Sequence, residues 1–170
     1  MTQLVDAKTL RSVVSYDPST GVFTWLPRDE NKWWNANYAG KRAGSLDRKG
    51  YLRILYNYRP YLAHRLAFLY MTGSFPKDAV DHRDGDRANN RWSNLRPATE
   101  TENHRNRKRS IRNSTGFKGV SWCNTKKRFR AAIKDDDKAR HLGYFRAAEE
   151  AAEAYRKAAV AAFGEFARFE

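Results

Sequence analysis

Hydrophobic positions along this chain fall into short runs broken by turn-forming residues, and the period within each run indicates its element. Leu4, Leu10, Val13 and Val14 carry the spacing of a short amphipathic helix, which Asp17-Pro18-Ser19-Thr20-Gly21 would end. Val22-Phe23-Thr24-Trp25 then reads as a strand. The pair Trp33-Trp34 stands among polar residues, able to cap a small core or to stack on nucleobases, and the glycines of Ala39-Gly40-Lys41-Arg42-Ala43-Gly44 mark turns. Tyr51-Leu52-Arg53-Ile54-Leu55-Tyr56 and Pro60-Tyr61-Leu62-Ala63 predict two strands joined across Asn57-Tyr58-Arg59. They lead into a helix near His64, with Leu66, Ala67, Phe68 and Leu69 as its apolar run. Val80 marks the buried end of a short strand. Thr99 with Glu102 three residues on is a capping box, which starts a helix and places Asn103 in its first turns.

Between Arg107 and Gly116 charge, Ser, Asn and Gly replace apolar periodicity, so no regular element is predicted there. Beyond it, residues 117–123, 128–134 and 140–145 read as three short strands. Alternation is clearest in the second, where Phe129, Ala131 and Ile133 share one face and Arg128, Arg130, Ala132 and Lys134 the other. Residues 147–163 are rich in helix formers, with Ala148, Ala151, Ala152, Tyr155, Ala158, Ala159, Ala162 and Phe163 on one stripe and Gly164 as the stop. Small alanines let such a helix lie close across a sheet, leaving the sheet's other face for a partner. The pattern therefore predicts an α+β chain: a first domain over 1–106, a basic linker over 107–116 and a three-stranded antiparallel sheet packed on one C-terminal helix over 117–170.

Composition narrows the partner. Lys+Arg outnumber Asp+Glu by 33 to 19, a formal charge of +14, so a polyanion is expected. The basic residues concentrate in His104-Arg105-Asn106-Arg107-Lys108-Arg109-Ser110-Ile111-Arg112 and in Lys126-Lys127-Arg128-Phe129-Arg130. No apolar run approaches the ~20 residues that span a bilayer. The first residues show neither a basic opening nor an apolar core, so the expectation is a cytoplasmic protein without a membrane role. The single cysteine, Cys123, excludes an internal disulfide and a four-cysteine zinc framework.

One stretch carries chemistry. Val80-Asp81-His82-Arg83-Asp84-Gly85 is followed by Asn89-Asn90-Arg91-Trp92-Ser93-Asn94-Leu95-Arg96 and then by Thr99-Glu100-Thr101-Glu102-Asn103. Phosphodiester hydrolysis needs a base for water, a hard cation on the scissile oxygens and groups that orient both, which Asp81, His82, Asn94 and Asn103 can supply. A carboxylate and a carboxamide oxygen are donors that Mg²⁺ (or Mn²⁺) accepts, with water and phosphate completing its octahedron. Asp84-Gly85 and Asn89-Asn90 read as ordinary turn chemistry. His104 points about 100° away from Asn103 around a helix, as a phosphate contact or a solvated residue. His64 reads as a helix-start or packing residue, with an auxiliary contact near the metal as the alternative.

The ordered set Asp-His, Asn-Leu-Arg and Thr-x-x-Glu-Asn resembles the HNH homing endonuclease family, in the phage-type branch whose last His is replaced by Asn. His64-Arg65-Leu66-Ala67 and Met71-Thr72-Gly73-Ser74-Phe75-Pro76 extend the resemblance to about residues 50–106. The resemblance implies a ββα-metal nuclease domain. It implies His82 as general base, Asp81 and Asn103 as metal ligands, and Asn94 as the brace of the hairpin that carries His82.

The last third resembles the plant Apetala-two (ethylene-responsive-factor) DNA-binding domain. The matching residues are Phe117-Lys118-Gly119-Val120, residues 128–133, His141-Leu142-Gly143-Tyr144-Phe145 and residues 148–155. That resemblance places Lys118, Ser121, Lys134 and His141 on the base-reading face, with Arg128 and Arg130 added from charge and alternation. Ser121 and Cys123 stand where arginine is usual and His141 where tryptophan is usual. Trp122 reads as core in preference to base stacking. Arg105, Arg107, Lys108 and Arg109 are the expected phosphate contacts of the linker region. The joint expectation is a metal-dependent nuclease acting on double-stranded DNA as a monomer or weak dimer, cutting one strand per engagement, which gives a nick from one copy or a double-strand break where two copies meet, and needing no small-molecule cofactor. The rivals are a non-catalytic DNA-binding regulator with a vestigial nuclease domain, and an RNA-binding protein.

Overall fold

The computed structural model describes residues 5–110, 112–135 and 138–169. Leu4 of the expected first helix and Ile111 of the basic run lie outside the described residues. The chain divides after Ala98 into two compact units.

In the first unit, helix α1 (Ala7–Val13) is capped by the Asp6 carboxylate, which accepts from the Thr9 N–H at 2.7 Å. The helix ends sooner than the apolar spacing implies. Val14 opens strand β1 (Val14–Asp17), which pairs antiparallel with β2 (Val22–Trp25). Val14 and Tyr16 alternate into the core, and such β-branched and aromatic residues gain more from a pleated pair than from another helical turn. A short helix α2 (Lys32–Asn37), unannounced by the sequence pattern, carries the two tryptophans. Trp34 packs edge-on against Trp25 at 5.3 Å, whereas Trp33 is 67% exposed.

Strands β3 (Ser45–Leu46), β4 (Leu52–Tyr56) and β5 (Arg59–Leu62) form an antiparallel sheet in the order β3-β4-β5. The β4–β5 turn is Asn57-Tyr58 alone, because Arg59 already pairs with Tyr56. Helix α3 (Ala63–Thr72) follows at once, buries Ala63, His64, Leu66, Ala67, Phe68 and Leu69, and ends at Gly73 in the left-handed conformation. Strands β6 (Ala79–His82) and β7 (Leu95–Ala98) make a hairpin, closed by a loop that ends in a single 3-10 turn, Trp92–Asn94. One core runs through these elements, with Val14, Phe23, Ile54 and Leu66 as its largest fully buried apolar side chains.

The second unit opens with helix α4 (Glu100–Arg105), and the predicted capping box forms: Glu102 N–H donates to Thr99 Oγ1 at 3.2 Å while the Thr99 N–H donates to the Glu102 carboxylate at 2.8 Å. Helix α4 and residues 107–116 thus belong with the sheet that follows. The reason is local, since the Lys118 ammonium donates to the Arg105 and Arg107 carbonyls at 2.8 and 2.6 Å, and Arg105 pairs with Asp135 at 2.7 Å. The stretch read as irregular is knotted by Asn113, whose Oδ1 accepts from the N–H groups of Thr115 and Gly116 and whose Nδ2 donates to the Phe117 carbonyl.

Strands β8 (Val120–Cys123), β9 (Arg128–Asp135) and β10 (Lys138–Phe145) form an antiparallel sheet in the order β10-β9-β8, with a bulge between His141 and Gly143. The first strand is shorter than the predicted 117–123. Helix α5 (Ala148–Phe163) covers one face, burying Ala151, Tyr155, Ala159 and Phe163. Ala131 is wholly buried with Val120 and Ala151, as the alternation in β9 requires. Trp122, read as core, is instead 45% exposed and meets Phe129 edge-on at 4.9 Å, because β8 ends there without a covering element.

Gly119 (φ 75°) holds a left-handed backbone, and a Cβ on it would overlap the Tyr155 ring. Gly119→Ala combines that overlap with left-handed strain and is expected to cost about 2 kcal/mol or more. A urea unfolding midpoint followed by far-UV circular dichroism checks this, and an unchanged midpoint contradicts it.

Candidate active site

The β6–β7 register places Asp81 opposite Arg96 and His82 opposite Leu95. Successive strand side chains leave opposite faces, so the carboxylate and the imidazole enter different surroundings. Asp81 is 3% exposed and takes a forked contact from Arg96, with Nε at 2.8 Å and Nη2 at 2.6 Å from Oδ2. A buried carboxylate needs such a countercharge, and its cross-strand neighbour supplies it.

His82, 4% exposed, lies in an aromatic cluster. Its ring meets His64 edge-on at 5.0 Å, and Tyr51 lies 5.4 Å from His64 and 6.1 Å from His82. Tyr51 is the half-buried member of this group, with the Arg87 guanidinium over its outer ring at 4.8 Å. Arg87 also donates to the Lys49 carbonyl at 2.9 Å. Burial pulls the His82 pKa below its ordinary value, against the opposing pull of Asn90 and the carboxylates of Asp84, Asp81 and Asp86. Burial drives His64 down to about 3, helped by His82 and Arg65. Both rings are therefore neutral at pH 7.

Asn94 clasps the loop. Its Nδ2 donates to Asp84 Oδ1 at 2.9 Å and to the Asn89 carbonyl at 2.8 Å, while its Oδ1 accepts from the Asp84 N–H at 3.1 Å. Burial opposes ionisation of Asp84, but hydrogen bonds from Asn89, the Asp86 N–H and Asn94 outweigh it and hold the carboxyl below its usual range. Asn90, set aside as turn chemistry, is 1% exposed and interacts with His82, and its carbonyl accepts from the Tyr16 hydroxyl at 2.7 Å. Gly21 lets the β1–β2 turn lie against the Asn90-Arg91 backbone, where a Cβ would collide.

Of the residues expected at the site, the hairpin carries Asp81, His82 and Asn94; the sequence left His64 between packing and an auxiliary role, and gave Asn90, Arg96, Tyr51 and Arg87 none. The available signal was the Asn-Asn-Arg-Trp and Asn-Leu-Arg wording, too dense in hydrogen-bonding side chains for a turn alone. Asn103 belongs to the second unit, half-buried on α4, its N–H bonded to the Thr99 carbonyl at 3.0 Å.

Among the expected DNA contacts, Arg107, Lys108, Arg109, Ser121, Arg130, Lys134 and His141 are exposed and Arg128 is half-buried. Ser121, Arg130 and Tyr144 form one cross-strand row, and the His141 and Tyr144 rings lie 4.6 Å apart. Lys118 and Arg105 are turned inward: the Lys118 ammonium serves main-chain carbonyls, and burial, with Arg168 adding, lowers its pKa to about 8. Arg105 is engaged by Asp135 and lies 4.8 Å over Phe163. Among the described residues no helix is long and apolar enough to cross a membrane.

An HNH endonuclease family model matches residues 61–105, which contain His64, Asp81, His82, Asn90, Asn94, Arg96 and Asn103. An HNH endonuclease of Acanthamoeba polyphaga mimivirus is 31% identical over 149 residues, covering 86% of this chain and 74% of that protein. This chain belongs to the HNH endonuclease family. It is accordingly a hydrolase of phosphodiester bonds. Protein 3.8 of Escherichia phage T7 is 34% identical over 98 residues, 57% of this chain and 80% of that protein. The solved HNH homing endonuclease I-HmuI matches 62% of this chain at 24% identity with a TM-score of 0.43, and the match spans 57% of that structure's length.

Two outcomes follow from this site. Removing the guanidinium with Arg96→Leu leaves the Asp81 charge buried and should cost about 3–5 kcal/mol in a denaturant titration, and a loss below 1 kcal/mol contradicts the pair's role. His64, depressed from 6.5 in the unfolded chain to about 3 in the fold, contributes stability that is present above about pH 6.5 and is lost as the pH falls toward 3. His64→Gln should reduce the acid dependence of the unfolding free energy between pH 6.5 and 4.5 by up to about 1.4 kcal/mol per pH unit, and parallel profiles refute this.

Proposed function

We propose that this HNH endonuclease is a homing-type, divalent-metal-dependent enzyme that nicks double-stranded DNA, with His82 as the general base. The observation that carries this reading is a neutral imidazole at the exit of β6, where the chain enters a loop clasped by Asn94. A neutral ring can take a proton from water. Asn94 acts by positioning, since its bonds fix where the chain leaves His82.

The donor chemistry suits a hard cation. One carboxylate and one carboxamide oxygen are hard donors, and water and phosphate would complete the shell, as Mg²⁺ (or Mn²⁺) allows. Asp81 and Asn103 are the residues that would hold it, and the part of Asn103 is supported by its place within residues 61–105 of the family motif. When bound, the cation supplies charge stabilisation for the phosphorane-like transition state and the leaving oxygen.

The sheet face bearing Ser121, Arg130, Lys134 and His141 is the proposed duplex-binding surface, of the Apetala-two kind. Exposed basic residues beside a His141–Tyr144 ring pair suit a major groove and its phosphates.

One observation favours a second reading. Asp81 and His82 are nearly sealed, as they would be in a DNA-binding regulator whose nuclease site is vestigial. Supercoiled plasmid incubated with Mg²⁺ separates the two. The full-length chain should convert it to the open-circular form, and His82→Ala should slow this at least about 10²-fold. Intact plasmid with wild-type protein would establish the regulator.

A further inference from the structure

The β4–β5 turn is built against its own stability. Asn57 and Tyr58 both hold left-handed backbone, with φ of 47° and 60°, where Asn-Gly is the usual pair. Asn tolerates this conformation; Tyr carries a Cβ penalty that Gly avoids. The Tyr58 side chain is also 98% exposed, so its ring gains nothing from the core. Backbone and solvation both disfavour tyrosine here, and an unfavoured residue at a surface tip points to a contact made with something else.

The turn leads into a second aromatic feature. Beyond the turn, Arg59, Pro60, Tyr61, Leu62, Arg65 and Phe75 line a mainly apolar cavity of about 540 Å³. The Tyr61 and Phe75 rings are parallel to within 8°, with centroids 6.4 Å apart, so a flat ligand entering the cavity meets ring faces of one orientation. Arg65 fixes this arrangement, donating to the Pro76 and Asp78 carbonyls at 3.0 and 2.9 Å and standing 6.0 Å from the Phe75 ring. Strand β5 is the outer strand of its sheet, and Pro60 within it lacks the N–H that an added strand would need. The edge is therefore fitted to side-chain contacts and unfitted to strand addition.

We infer that the outer edge of β5 binds an unpaired nucleobase of a DNA strand, the base meeting the Tyr61 and Phe75 rings, Tyr58 stacking on its neighbour and Arg59 meeting the adjoining phosphate. This rests on the reading that DNA is the partner. Aromatic stacking plus a cation is how sequence-tolerant single-strand contacts are made, and the chain's +14 charge suits the backbone. The site differs in place and ligand from the His82 cluster, and it gives the enzyme a hold on distorted or opened DNA.

The full-length protein is titrated with three probes: single-stranded oligothymidylate, a perfect duplex, and a duplex carrying one unpaired 2-aminopurine. Wild type should quench the 2-aminopurine. Tyr58→Gly and Phe75→Leu should each weaken single-strand binding about tenfold, the scale of one lost base stack, and leave duplex affinity within about twofold, while Phe75→Leu should also reduce the quenching. Tyr58→Gly should at the same time raise Tm by about 2–4 °C, so lost binding cannot be ascribed to a damaged fold. Unchanged single-strand affinity, or an equal loss on the perfect duplex, overturns the inference. If wild type nicks plasmid yet both variants bind as it does, this site falls and the nuclease stands; if wild type neither nicks nor binds DNA, both fall.

Discussion

The forked contact between Arg96 and Asp81 is the constraint from which the first unit's chemistry follows. A carboxylate held 3% exposed would be expensive without a partner, and the β6–β7 register sets a guanidinium directly across from it. With that pair formed, the register places His82 against Leu95 and starts the loop at Arg83, whose N–H donates to the Asn94 carbonyl at 2.9 Å. The imidazole then has one direction to take, toward His64 and Tyr51.

Around this hairpin the loop behaves as a small folded object. Asn94, Asp84 and Asn89 satisfy one another and the loop's main chain. Two bonds tie the loop to the first hairpin: Tyr16 donates its hydroxyl proton to the Asn90 carbonyl, and the Trp92 N–H donates to the Pro18 carbonyl at 2.9 Å. Trp92 packs on Phe68 of α3 at 4.8 Å. The apolar core thereby reaches the site, since the elements that bury Phe23 and Leu66 also set where Asn90 and His82 stand. The second unit uses a different economy, with alanines on α5 allowing close packing on β9 while the far sheet face keeps its charge.

Much of this was legible in the residues. The β4–β5 hairpin, the His64 helix, the Thr99 capping box and the three strands with their covering helix follow from periodicity, because each depends on neighbours in sequence. Asp81, His82 and Asn94 were legible through motif order. The end of α1 was misread, since Val14 satisfies helical spacing as well as strand alternation and only pairing with Trp25 decides between them. Trp122 was misread as core because nothing local reveals that β8 ends uncovered. Resemblance sets Lys118 on the base-reading face and charge makes Arg105 a phosphate contact, yet main-chain carbonyls brought close by the fold engage the first and Asp135 the second.

The sequence by itself determined the β4–β5 hairpin, helix α3, the start of α4 and the second unit's strands with their covering helix, along with the net positive charge and the family motif with its candidate base. Those properties are set by composition and by contacts a few residues apart. Tertiary structure alone decided that Asn90 is buried beside His82, that Arg96 neutralises Asp81, that His64 shares the imidazole's surroundings and that Tyr51 bounds them. Each of these joins residues from separate elements, and which polar group ends up desolvated against which other is set by how those elements pack.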